Sequence, residues 1–366
     1  MSMISDVFIG VMFDILREFM SPDGIIVLSG DFMQLNPVSG ASACRIITRM
    51  KEVGELYVLN FIVRYRSIQM PMNYHCTSYR SGDLNKYGSE KDMVAVNKFF
   101  NYLKTIKTLS KEDFSSNIGQ FADYTFLTYT NTTRRDINRM FKEHFGGTEY
   151  SVNEILISDI GPEAKVRNNI RTLMMFDEVF KFKIGMHVMF CATDYNNYDY
   201  INGEHGIITG VTLDASGGID SINVEKTSRA TGTSVDLKVF RRDFTTDTLK
   251  KSEGYDVHYQ QFPLELAHAM TIHKSQGSGY DKLIIDMGGI DSINKKEYIN
   301  PEADMKRCRL FYTALTRTVD TDHLYFYGID ETFFNVKKEP GSNYETNRRS
   351  LYKRYINVPI YDKLAC

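Results

Sequence analysis

The sequence predicts an α/β fold that carries a separate, mostly antiparallel β insert. Three observations predict it. Apolar runs of strand length, Ile25 to Ser29, Tyr124 to Tyr129, Asp281 to Met287 and Asp322 to Tyr327, are set among polar turns and helical stretches. Amphipathic helical patterns occupy residues 5 to 19, the segment opening after Thr130, and Met305 to Thr318. From Gly206 to about Gln261 the pattern changes to short β-rich runs separated by turns such as Asp214-Ala215-Ser216-Gly217-Gly218, which suggests a compact antiparallel barrel.

The 366 residues suffice for two or three domains with real cores, and 42% hydrophobic with 25% charged residues is ordinary for a globular chain. A formal charge of -2 argues against coating nucleic acid by bulk charge but leaves room for a local basic groove. Five scattered cysteines without a CxxC pair argue against a disulfide framework or a zinc site and suit a reducing compartment; no metal-ligating cluster is expected. Asp6 and Asp14 interrupt the apolar start, so no signal peptide or membrane span is expected, and a soluble intracellular protein is.

In chain order, Ile4, Phe8, Val11, Met12 and Ile15 share one helical face over residues 5 to 19, with Ser5 placed to cap. Pro22-Asp23-Gly24 makes a turn before Ile25 to Ser29, a strand of the kind buried on both faces. The polar run Gly30-Asp31-Phe32-Met33-Gln34-Leu35-Asn36-Pro37-Val38 then lies on the usual ligand edge of an open α/β sheet. Gln34 has the chemistry to orient a water or sense a terminal phosphate, while a structural turn closed by Pro37 fits the residues equally well. A β-rich run over 56 to 66 ends in Val63-Arg64-Tyr65-Arg66. Residues 83 to 122 are polar and helical in tendency. The strand 124 to 129 leads into Thr130-Asn131-Thr132-Thr133-Arg134-Arg135-Asp136, where Thr133 and Asp136 stand in capping-box register and a helix N-terminus with hydroxyls and two arginines suits a phosphate.

Phe262 to Met270 reads as a short helix entered at Pro263, and it delivers Thr271-Ile272-His273-Lys274-Ser275-Gln276-Gly277. This polar turn gathers hydroxyl, ammonium, amide and backbone donors next to a glycine, which is phosphate-handling chemistry; an ordinary surface loop is the other reading of the same residues. Lys238, Arg241 and Arg242 read as the charges of an exposed edge strand.

The heptapeptide closely resembles the TIHKSQG motif of superfamily 1 DNA helicases in the Dda and RecD-like branch, the petite-integration-frequency-like helicases. Gly30 to Val38 resembles that branch's GDxxQLxPV motif, Met1-Ser2-Met3 the tail of its Asp-Glu-x-Ser-Met segment, and Tyr79-Arg80-Ser81-Gly82 its Arg-x-Gly helix end. Gly185, Val188 and Met189 match its Gly-x-x-Val-Met strand, Asn202-Gly203 and Gly206 its Asn-Gly-x-x-Gly turn, and Ala314-Leu315-Thr316-Arg317 its Ala-Leu-Thr-Arg motif. The resemblance implies RecA-like P-loop helicase domains, the first incomplete, with an inserted small β-barrel. It places the end of the first RecA-like domain at 1–80, a connecting segment at 81–122, the second RecA-like domain at 123–205 and 262–330, the barrel at 206–261 and a basic tail at 331–366.

By the same resemblance Gln34, Arg64 and Arg317 are the catalytic candidates, Arg317 as an arginine finger. Gly30, Asp31, Gln34 and Arg317 would face the nucleotide, Thr130, Asn131, Thr271, His273, Lys274, Ser275 and Gln276 would hold the DNA backbone, and Lys238, Arg241 and Arg242 of the barrel would pin the strand. The implied cofactors are ATP and Mg2+, the implied partner is single-stranded DNA, and the implied activity is ATP-driven translocation, 5′-to-3′ in this branch. No Gly-x-x-x-x-Gly-Lys-Ser/Thr run occurs in the sequence and no Asp-Glu precedes Ser2. The expectation is therefore a helicase lacking its phosphate-binding N-terminal part and inactive by itself, whether truncated or completed by another chain. The alternatives are a non-hydrolysing single-strand-binding relic, a subunit of a split helicase, and a purely structural protein.

Overall fold

The computed structural model describes residues 4–21, 24–26, 34–37, 101–158, 179–197, 199–227, 233–244, 257–293 and 301–334. In chain order the elements are α1 (Asp6–Phe19), β1 (Lys107–Leu109), α2 (Lys111–Ser116), β2 (Thr125–Thr128), α3 (Asn131–His144), β3 (Tyr150–Asn153), β4 (Ile155–Ser158) and β5 (Val179–Phe182). They continue with β6 (His187–Phe190), β7 (His205–Leu213), β8 (Ile219–Thr227), β9 (Ser234–Phe240), β10 (Arg242–Asp243), β11 (Val257–Gln261), β12 (Leu264–Leu266) and β13 (Ala269–Thr271). The last are β14 (Leu283–Asp286), α4 (Met287–Asp291), α5 (Pro301–Leu315) and β15 (Leu324–Tyr327). The chain divides into two compact units, 1–116 with 124–133 and 270–366, and 117–123 with 134–269.

The first unit is built on the five-stranded sheet β1-β15-β14-β2-β13, in which β1 pairs with β15, β15 with β14 and β14 with β2, all parallel. Strands of such a sheet are covered on both faces and read as unbroken apolar runs; every residue of β14, Leu-Ile-Ile-Asp, is buried. Helix α5 starts at Pro301, a residue preorganised for a first helical turn, and lays Leu310, Phe311, Ala314 and Leu315 into a core with Leu127, Ile285 and Phe326. It begins earlier than the predicted Met305. The predicted strands at 124 to 129, 281 to 287 and 322 to 327 are present as β2, β14 and β15.

Ser5 caps α1 as expected, its hydroxyl accepting the Phe8 N–H at 3.3 Å. The buried residues of α1 are Ile9 and Phe13, whereas Phe8, Val11 and Ile15, expected inside, are more than half exposed. The helix is apolar around most of its circumference, so periodicity did not single out one face. Residues 24–26 are not a strand, and Ile25 is 86% exposed, so the start of the predicted buried run lies open; 27–29 fall outside the described residues.

The second unit is antiparallel where its strands pair. Its five-stranded sheet runs β12-β6-β7-β8-β9, a three-stranded sheet runs β10-β11-β4, and β3 pairs with β5. Val188, Phe190, Ile208, Val224, Val239 and Phe262 share its core. Two register shifts between β7 and β8, at Ile208/Gly210 and at Thr212/Leu213, bend the ribbon. The helix expected over Phe262 to Met270 is instead β12 followed by β13, with Leu264 opposite Phe190 and Leu266 opposite Val188. Pro263 is as compatible with the start of a strand as with that of a helix, and pairing to β6 decides between them.

Candidate nucleic-acid interface

Ile272, fully buried, anchors the turn that follows β13, and the turn is wound by its own side chains. Thr271 Oγ1 accepts the Lys274 N–H at 3.4 Å, the Ser275 N–H reaches Thr271 O at 3.1 Å, and the Ser275 hydroxyl donates to Ile272 O at 2.8 Å. Gly277, at φ 96°, supplies the left-handed residue that lets the chain leave toward β14. Thr271 and Ser275 are buried and shape the turn from within; Lys274 is exposed, and His273 and Gln276 are half-buried.

The turn is fastened to the carboxyl end of β2. Ile272 donates its N–H to Thr128 O at 2.9 Å, and the buried Thr128 hydroxyl lies 3.1 Å from Thr130 O and 3.4 Å from Met270 O. Thr130 follows at once, exposed, with its Oγ1 accepting the Thr133 N–H at 3.1 Å and bonded to Thr133 Oγ1 at 2.9 Å. The cap of α3 is thus Thr130 rather than the predicted Thr133, because β2 passes straight into the helix; Asp136 instead pairs with Arg139. Asn131 is exposed in the first turn. Of the two arginines read as phosphate ligands, Arg134 is buried against Glu265 at 2.9 Å, and Arg135 is exposed.

One contributor escaped the sequence reading. Lys306, on the first turns of α5, sits 5.2 Å from the centre of the Tyr129 ring, and after burial itself it is the charge that lowers the His273 pKa below the ordinary imidazole value. His273 is therefore neutral at pH 7. A neutral imidazole N–H, two ammonium groups, the Thr130 hydroxyl and the open N–H groups of a helix start are all donors suited to phosphate oxygens. Only the proximity of Tyr129 to α5, a tertiary fact, could have revealed Lys306.

Of the nucleotide-side candidates, Gln34 and Arg317 fall among the described residues. Gly30, Asp31 and Arg64 lie outside the described residues. Gln34 is half-buried, and its main-chain carbonyl oxygen accepts from Arg309 Nη1 at 2.7 Å. Arg317 is fully buried, donating from Nε to Thr313 O, from Nη1 to Ser278 O and from Nη2 to Thr316 Oγ1, each at 3.1 Å. The Arg317 guanidinium is thus turned inward, onto acceptors of the chain itself. Lys238 is exposed on the edge strand β9, and Arg241 and Arg242 bond to Asn153 O and Thr193 O within their own unit.

No protein-family model matches the sequence. The ATP-dependent DNA helicase Pif1 of Campylobacter jejuni is 28% identical over 204 residues, 53% of this chain and 40% of that protein. Its namesake in Bdellovibrio bacteriovorus is 30% identical over 142 residues, 38% of this chain and 29% of that protein. The crystal structure of the Pif1 helicase from Candida albicans matches with a TM-score of 0.60 at 19% identity, over 96% of this chain and 74% of that one. The chain resembles the Pif1 helicases. A Bacteroides Pif1 bound to single-stranded DNA matches with a TM-score of 0.50 at 20% identity, over 90% of this chain and 70% of that one. The Pif1 likeness in structure shows the RecA-like α/β fold, and in sequence it spans less than half of either curated Pif1 relative. Among the described residues no helix is long and apolar enough to cross a membrane.

Proposed function

We propose that this chain is the strand-gripping portion of a Pif1-like, ATP-dependent DNA helicase, and that its ligand is the phosphate backbone of single-stranded DNA. The observation that carries this reading is the fastening of the 271–277 turn to the end of β2, which sets His273 and Lys274 beside the exposed cap of α3. Lys274 and Lys306 supply charge, His273 and Thr130 supply directional donors, and Thr271 and Ser275 hold the turn in shape. In the complete helicase, ATP and Mg2+ would be bound by residues beyond those described, and the grip would change with nucleotide state. The 366 residues alone bind the strand and do not turn over ATP, because they contain no phosphate-cradling glycine and lysine run.

The test is fluorescence anisotropy with a labelled oligo(dT) across a salt series. Binding should weaken as salt rises, and the double change His273→Ala, Lys274→Ala should weaken it at least about tenfold, through removal of one charge-assisted and one neutral hydrogen bond. Salt-insensitive binding, or a double variant that binds as tightly as the parent, would refute the grip. DNA-stimulated ATP hydrolysis by this chain alone would refute the absence of turnover.

A further inference from the structure

The second unit contains a cleft of about 260 Å3 between one face of α3 and strands β5, β11 and β12, and the 271–277 turn takes no part in it. Arg135, Arg139 and Lys142, spaced i, i+4 and i+7, line one wall, and the exposed Lys181 stands on β5. The apolar lining comes from Val179, Phe180, Leu264 and Leu266. Five cationic side chains face two carboxylates there: Arg134 is the fifth cation, bound to Glu265, and Asp136 is the second carboxylate, bound to Arg139. Lys142 also meets Glu149 at 3.0 Å, at the margin.

Two buried donors of this lining have no hydrogen-bond partner among the described residues. Gln261 is 1% exposed; its Oε1 accepts the Phe262 N–H at 3.0 Å, and its Nε2 is left over. Arg134 is 6% exposed; Nη1 is committed to Glu265, and Nε is left over. Unsatisfied buried donors are costly, and native proteins retain few of them. Here both lie in a wall that already carries excess positive charge. The ligand that answers such a lining is an anion rich in acceptors with an apolar part.

We propose that this cleft is a second binding site, taking one nucleotide unit: the phosphate against Arg139, Lys142 and Lys181, and the base against Phe180 and Leu264 with its carbonyl edge toward Gln261 and Arg134. The proposal rests on the single-strand reading above for the source of that nucleotide, a unit of single-stranded DNA. A free mononucleotide offers the same chemistry.

The test uses the full chain with Arg139→Glu and Lys181→Glu combined, both exposed positions, and separately Gln261→Leu, with labelled oligo(dT) and free dTMP as probes. The charge reversals should weaken oligo(dT) binding about tenfold and lower the salt slope by about 0.7 for each phosphate no longer neutralised. Gln261→Leu should weaken it less and leave the slope unchanged. If oligo(dT) binding is unaffected by all three changes while His273→Ala, Lys274→Ala abolishes it, the cleft proposal is overturned and the strand-gripping reading stands. If the charge reversals abolish dTMP binding but leave oligo(dT) untouched, the pocket is real and its assignment to the strand is overturned. If neither set of changes alters oligo(dT) binding, both readings fall.

Discussion

Ile272 and Thr128, 144 positions apart, are joined by one backbone hydrogen bond of 2.9 Å that seats the 271–277 turn against the end of β2. The Thr128 side chain reinforces the seat from beneath while remaining fully buried. Thr128→Val, nearly the same shape, should therefore lower oligo(dT) affinity about fivefold, the equivalent of one hydrogen bond of about 1 kcal/mol, without touching the ligand. Anisotropy titration of the folded variant checks this. An unchanged affinity would show that the seat is dispensable.

His268 sets an acid limit on stability. Its ring stacks between Phe141 at 4.5 Å and His187 at 4.7 Å, and Nε2 accepts the His187 N–H at 3.2 Å, which requires the neutral form. Burial, with the neighbouring His187, lowers its pKa from 6.5 to about 3. Below pH 6.5 the unfolded chain takes up a proton that the folded chain refuses, so stability falls with falling pH down to about 3. The slope from this residue is about 1.4 kcal/mol per pH unit. Urea denaturation at pH 7 and pH 5 should show it, and His268→Gln, whose amide oxygen still accepts from His187, should flatten it.

Asp286 acts with the opposite sign. It ends β14 buried, its pKa raised by burial to about 6, while Oδ1 caps α4 through the Gly289 N–H at 2.8 Å. The folded state holds the proton better than the unfolded one, so the penalty of the charged form is absent below pH 3.8 and complete above about pH 6. Asp286→Asn keeps the capping oxygen and should gain about 3 kcal/mol at pH 8. Melting temperatures of the two proteins should converge at pH 3.5.

Arg317 ties the end of α5 to Ser278, just past the turn. Arg317→Ala removes three hydrogen bonds from a fully buried guanidinium and should cost about 3 kcal/mol. Chemical denaturation checks it. A variant as stable as the parent would show that the guanidinium normally sits elsewhere. Any activity change at this position has to be read beside its stability.

Long and continuous patterns were legible in the sequence. The Ser5 cap, the unbroken apolar runs of β2, β14 and β15, and the helix ending in Ala-Leu-Thr-Arg all reflect local rules. Where the chain was misread, a partner distant in sequence decided the outcome. Three residues of β12 are too short to show a period, and pairing with β6 made them a strand. Thr133 had the right neighbours for a cap, yet β2 placed Thr130 at the helix start. Arg134 looked like a phosphate ligand, yet Glu265, 131 residues away, holds it. The cleft draws on residues 134 to 142, 179 to 181 and 261 to 266; its only trace in the sequence is the spacing of Arg135, Arg139 and Lys142.

Helix α1 leaves Val7, Phe8, Val11, Ile15 and Phe19 between 52% and 78% exposed. Such an oily ridge gives the molecule a second appetite, one that salt sharpens where it blunts the hold on phosphate. At the high ionic strength used to strip DNA from a preparation, the same protein will cling to itself, to plastic and to hydrophobic dyes.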